Sequence, residues 1–128
     1  MCNILIVEDE ATFRRVIVQN LAKRGHQVRE VATVADAVST VLEAPPDLLL
    51  LDLNLPDGSG WDVMRALQSR EIAVPVIVLS GGVIQPSLLS EFNPMAHLSK
   101  PMSLEELFQL VGRVDQTLET TDLERSPH

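Results

Sequence analysis

The chain has 128 residues, 45% of them hydrophobic and 22% charged, with a net charge of −8. Its size and composition lead one to expect one globular domain, with no room in these residues for a second, and its acidic balance lacks the basic footprint a phosphate backbone needs, so no direct nucleic-acid binding is expected. Cys2 is the only cysteine, which excludes an internal disulfide. No apolar run approaches the roughly 18 residues of a membrane span, and no basic segment precedes an apolar one at the start, so no membrane contact and a cytoplasmic location are expected.

Ile4-Leu5-Ile6-Val7 is a short continuous apolar run, the pattern of a strand covered on both faces in a parallel sheet. It ends in Glu8-Asp9-Glu10 and leads into a helix over about Ala11 to Arg24. Phe13, Val16, Ile17 and Leu21 supply that helix with one apolar stripe, and Gly25 ends it. Gln27 to Val31 alternates in the manner of a strand near the sheet edge. Thr33 then caps a second helix with Asp36 three residues on; Val34, Ala37, Val38, Val41 and Leu42 form its predicted inner face. Pro45-Pro46 stops it.

Leu48-Leu49-Leu50-Leu51 reads as the central strand, and Asp52 stands at its carboxyl end, where open α/β sheets place their ligands. After a turn over Pro56 to Gly60, Trp61 to Arg70 is a third helix with Val63, Met64 and Leu67 inward. Trp61 is expected to cover the start of that helix rather than to take part in chemistry. Pro75 opens a fourth strand, where the first residue need not donate to the ladder, and Val76 to Leu79 runs into Ser80-Gly81-Gly82. A short helix over Pro86 to Phe92 is cut off by Asn93-Pro94. His97-Leu98-Ser99 then ends in Lys100-Pro101, and Ser103-Leu104-Glu105-Glu106 is a capping box for a last helix to about Leu118. Its inner stripe is Leu104, Leu107, Phe108, Val111 and Val114 or Leu118. Residues 1–118 are thus the domain, and 119–128, polar and without periodicity, are expected to be a disordered tail.

Five strand-like runs alternating with helices predict a doubly wound α/β sandwich with helices on both faces. An acidic pair after the first strand, Asp52 with Leu55-Pro56-Asp57-Gly58-Ser59-Gly60 behind it, Ser80 after the fourth strand and Lys100-Pro101 after the fifth occur in one order. In these features the chain resembles the receiver domain of two-component response regulators over about residues 3–115. The resemblance implies a flavodoxin-like five-stranded parallel sheet in the order 2-1-3-4-5 with five helices, which would bring Glu8, Asp9 and Asp52 to the switch point beside the first strand.

Such clustered carboxylates repel unless a cation lies among them, and a half-open oxygen site suits Mg²⁺. The resemblance assigns metal ligation to Asp9, Asp52 and the backbone carbonyl of Asn54, with Glu8 acting mostly through water. It makes Asp52 the phosphoacceptor for a histidine kinase or histidine phosphotransfer protein, and Lys100, before a cis peptide bond, a point charge on a phosphoryl oxygen. Ser80 would bind the phosphoryl group and pull its loop inward, altering contact with a downstream protein or effector domain. Gly81 leaves room beside the phosphoryl pocket, and Asn54 and Gly82 flank the path of the hydrolytic water. The expected function is a signalling switch that catalyses only its own phosphorylation and dephosphorylation.

The chain departs from the family at two places. His97 stands three residues before Lys100, where the family usually has Tyr or Phe that rotates with the switch hydroxyl. The segment from Ser80 to Lys100 is also short, with Asn93-Pro94 in place of Gly-Ala, so the fourth helix is expected to be short or mobile. Two other function classes compete with the switch. One is a degenerate receiver that acts as a phosphorylation-independent interaction scaffold. The other is an aspartyl-nucleophile phosphatase, which would need a second Asp where this chain has Asn54.

Overall fold

The computed structural model of the chain describes residues 2–125, with side-chain surroundings through Thr117. Its elements follow the predicted alternation: β1 (Asn3–Val7), α1 (Ala11–Lys23), β2 (Gln27–Val31), α2 (Val34–Glu43) and β3 (Leu48–Asp52). A small hairpin, β4 (Asn54–Leu55) and β5 (Gly58–Ser59), precedes α3 (Gly60–Ser69). β6 (Val76–Ser80), α4 (Pro86–Phe92), β7 (Ala96–Ser99) and α5 (Leu104–Arg125) complete the chain. The large sheet is parallel throughout, in the order β2-β1-β3-β6-β7. Once the hairpin is set aside, this is the expected order 2-1-3-4-5.

Strand alternation sorts the core into two layers. Ile4, Ile6, Leu48, Leu50, Ile77 and Leu79 pack against Ile17 and Leu21 of α1 and Leu107 and Val111 of α5. Leu5, Val7, Leu49, Leu51, Val76 and Val78 face Ala37 and Val41 of α2 and Val63, Met64 and Leu67 of α3, with α4 at the margin. All four leucines of β3 are fully buried, and covering such a side chain contributes roughly 1.5–3 kcal/mol. A strand with helices on both sides therefore needs leucine at successive positions, not alternate ones.

The local signals act as their chemistry requires. Glu10 caps α1 by accepting hydrogen bonds from the Thr12 and Phe13 amides, and Thr33 Oγ1 accepts from the Asp36 amide. Ser59 and Asp62 form a reciprocal capping box at α3. Pro75 directly precedes β6 and joins the ladder only as an acceptor, its carbonyl taking the Leu49 amide at 2.9 Å. Gly25 ends α1 with φ of 91°, a left-handed value that glycine adopts freely.

Three expectations are corrected. Val16 and Leu42 are exposed, not inward, because they lie at the edge of their stripes, beyond the reach of the sheet. The last helix does not end near Leu118: α5 continues to Arg125, so polar composition does not stop the helix there. Residues 126–128 of the expected tail lie outside the described residues. No helix among the described residues is long and apolar enough to cross a membrane.

Candidate functional site

β1, β3, β6 and β7 all end at one edge of the sheet because every strand pair is parallel. Glu8 follows β1, and its amide still donates to the Val31 carbonyl at 3.1 Å, which extends the ladder and turns the side chain inward. Its carboxylate is fully buried; Oε2 accepts from the Glu10 amide at 3.1 Å and Oε1 from Lys100 Nζ at 2.6 Å. Asp52, also buried, accepts from the Asn54 amide at Oδ1 (3.0 Å) and from Lys100 Nζ at Oδ2 (3.2 Å). One ammonium thus joins two carboxylates from different strands, and burying such charges is tolerable only when they are paired in this way.

The pairing leaves its mark on proton affinity. Burial, reinforced by hydrogen bonding to Asp52, pushes the Glu8 carboxyl up to about 7 against the opposing pull of Lys100. Burial disfavours the Lys100 ammonium, yet its bond to Glu8 and the charges of Asp52 and Glu8 outweigh that, holding its pKa above the ordinary lysine value. Lys100 Nζ also lies 4.9 Å from the Phe13 ring centroid, within cation–π range.

Asp9 is exposed at the mouth of the site, and one carboxylate oxygen each of Glu8, Asp9 and Asp52 lie within 4.8 Å of one another. A donor set of oxygens alone fits a hard divalent cation such as Mg²⁺. Asn54 is exposed beside it, tied to Asp52 through its amide. The Lys100–Pro101 peptide bond is cis, and the Lys100 amide donates to the Ser80 carbonyl at 2.6 Å, joining two of the strand ends directly.

The remaining residues stand further back. Ser80 is buried and its hydroxyl serves its own loop, donating to the Gly82 carbonyl at 3.0 Å and accepting from the Gly82 amide at 3.2 Å. A Cβ added at Gly81 or Gly82 would meet nothing within 4 Å, so no packing of the protein requires glycine there. His97 is exposed on β7, beside Gly81, Ile84, Leu89 and Ser99 in an open groove of about 360 Å³.

Sequence reasoning missed three supports. Arg14 donates from Nη1 to the Glu8 carbonyl at 2.7 Å while its Nε holds Glu30 at 2.8 Å. Phe13 lies under Lys100. Asp57 accepts the Val34 and Ala35 amides of α2 at 2.8 and 3.1 Å. Apart from the bond of Arg14 to Glu8, six residues away, these contacts link residues distant in the chain, and the only sequence signal is the position of Asp57 in the Leu-Pro-Asp turn.

The family model described as "Response regulator receiver domain" matches residues 4–112. The sequence is 34% identical over 128 residues to "Transcriptional regulatory protein KdpE" of Mycobacterium tuberculosis, an alignment covering 98% of this chain and 56% of that protein. It is 39% identical over 109 residues to "KDP operon transcriptional regulatory protein KdpE" of Escherichia coli, covering 84% of this chain and 48% of that one. The chain therefore spans about half the length of these relatives. Among solved structures, the signal receiver domain of a putative Luxo repressor protein from Vibrio parahaemolyticus superposes with a TM-score of 0.84 at 26% identity, covering 97% of both chains. A CheY-like receiver domain protein from Methanospirillum hungatei has a TM-score of 0.80 at 22% identity over 91% of this chain and 96% of that one, which speaks for the fold alone.

Proposed function

The chain belongs to the response regulator receiver family of two-component systems, and from that premise we propose that it is a phosphorylation-dependent switch with Asp52 as the phosphoacceptor. Receiver domains are signalling domains rather than enzymes in the ordinary sense, and their chemistry is confined to their own carboxylate. The observation that carries the proposal is the position of Lys100 Nζ, held between Glu8 at 2.6 Å and Asp52 at 3.2 Å. A fixed cation on the nucleophile's own oxygen is also a fixed cation for the oxygens of an arriving phosphoryl group.

In the reaction, a carboxylate oxygen of Asp52 forms a bond to phosphorus as the P–N bond of a phosphohistidine protonated on its other ring nitrogen breaks, the electron pair staying on nitrogen, giving an acyl phosphate and a neutral imidazole. The donor is a histidine kinase or histidine phosphotransfer protein. Asp9, Asp52 and the Asn54 carbonyl would hold Mg²⁺, with Glu8 contributing mostly through water, and the ion would supply charge neutralisation to the carboxylates and the incoming phosphoryl oxygens. Lys100 orients the transferring group. Ser80 exchanges its bonds to Gly82 for one to the phosphoryl group, and its carbonyl carries that movement to Lys100 and β7. Gly81 leaves room for the group, and Asn54 and Gly82 govern access of the hydrolytic water. The shifted β6–α4 loop then changes the surface offered to a downstream protein or effector domain. The switch is the domain from β1 through α5.

Intact mass after incubation with acetyl phosphate, with and without Mg²⁺, tests this on the wild type and Asp52→Ala. The expected result is one added phosphoryl group that needs both the ion and Asp52. A second reading, a phosphorylation-independent interaction scaffold, is favoured by the exposed His97 in place of Tyr or Phe. It predicts no adduct on a folded protein that still binds its partner.

A further inference from the structure

At the opposite end of the sheet from Asp52, three residues distant in sequence meet. Cys2 directly precedes β1 and is buried; His26 directly precedes β2; Asp115 lies on α5. The Cys2 amide donates to His26 Nδ1 at 3.1 Å, and the Cys2 thiol donates to Asp115 Oδ1 at 3.4 Å. One sulfur, one ring nitrogen and one carboxylate oxygen lie within 4.8 Å of one another. The receiver chemistry uses none of them.

We propose that Cys2, His26 and Asp115 form a binding site for a borderline divalent cation of the zinc class, independent of the acidic pocket at Asp52. The donor set decides the class of ion. A thiolate, an imidazole and a carboxylate are the ligand types of tetrahedral zinc and suit magnesium poorly. Bond lengths of roughly 2.0–2.3 Å put the ligand atoms of such a centre about 3.4–3.6 Å apart, so the sulfur–oxygen pair is already at that spacing, with the nitrogen within 4.8 Å of both. Three separate elements hold the donors, and their backbones are fixed: the Cys2 carbonyl accepts the Gln27 amide at 3.0 Å, which clamps the start of β1 to β2.

The protonation states fit a site that exchanges protons for metal. The acceptor nitrogen of His26, Nδ1, holds the Cys2 amide at 3.1 Å, and the ion takes its lone pair in exchange for that bond. The Cys2 thiol donates to Asp115 Oδ1, so the sulfur keeps its proton until an ion arrives. Binding therefore forms an S–metal bond, breaks the S–H bond and releases that one proton to solvent. His26 and Asp115 are only partly buried, which leaves the site open to solvent on that side.

The test uses the untagged full chain with Asp52→Asn to silence the acidic pocket, titrated with Co²⁺ and then Zn²⁺. Cys2 is the only cysteine, so a sulfur-to-cobalt charge-transfer band can come from nowhere else. One Co²⁺ per chain, that band, release of one proton and displacement by Zn²⁺ are the expected results. Cys2→Ser removes the band. His26→Gln and Asp115→Asn each weaken binding by at least tenfold, since even loss of an outer partner of a metal ligand costs that order. Should Cys2→Ser fail to fold, those two variants on partly exposed side chains still decide the matter. No band on the folded chain at saturating Co²⁺, two chains per ion, or unchanged affinity in both variants would overturn the site.

Discussion

Asp57 reads in sequence as a turn residue, yet its carboxylate caps α2 by accepting the Val34 and Ala35 amides. Those two donors, Val34 first, hold its carboxyl below the usual range, so the folded state favours the ionised form. The stabilisation is therefore present above pH 3.8 and is lost as pH falls through the depressed folded pKa. Asp57→Ala lowers the melting temperature at neutral pH, and the gap from wild type closes as the pH drops below 3.8; paired thermal melts across that range check it. Gly60 is constrained differently. A Cβ there would lie 2.6 Å from the Asp52 carbonyl oxygen, a backbone atom with nowhere to go. Gly60→Ala should cost about 1–3 kcal/mol by overpacking, read from urea unfolding, and part of the strain falls on the phosphoacceptor strand itself.

Among the elements, α4 is the least secured. It has seven residues, none of them buried, and no side chain caps its amino end. What holds it is Phe92, stacked on Trp61 of α3 at 5.5 Å between centroids, with the Arg65 guanidinium 5.4 Å from the same ring. Local stability follows buried contacts, so amide exchange over residues 84–92 should be faster than over α1. Protection equal to that of α1 would contradict it. Phe92→Ala should accelerate that exchange further and cost about 1–3 kcal/mol, less than a fully buried phenylalanine would. Because Trp61 is the only tryptophan and the chain has no tyrosine, its fluorescence should change on acetyl phosphate treatment if α4 moves with the switch. An unchanged spectrum in a protein that mass shows to be phosphorylated would place the output elsewhere than α4.

For the molecule as a whole, a net charge of −8 sets how it meets other macromolecules. Its relatives bear names of transcriptional regulators, but this chain spans about half of their length. The acidic domain itself should show no mobility shift of duplex DNA near physiological salt, since non-specific binding depends on neutralising phosphates. A shift abolished by added salt would overturn that.

The two kinds of order in this chain have different origins. Continuous apolar runs, helical stripes, caps and proline stops act over a few residues, so the strands, the helices and the α/β class could be read from Ile4 to Val7, Leu48 to Leu51 and their like without coordinates. The order of strands came only through resemblance, because periodicity says which faces are buried and not which strand lies beside which. Asp52, Lys100 and the acidic pair were legible because a parallel sheet sends all its strand ends to one edge. What tertiary structure alone decided is contact between distant residues: Lys100 bonded to Glu8 and Asp52, Arg14 on the Glu30 carboxylate, Asp57 under α2, and the meeting of Cys2, His26 and Asp115. Those contacts depend on how two helical layers close over the sheet, and that closure is set by the packing of the whole core, which no local stretch of sequence contains.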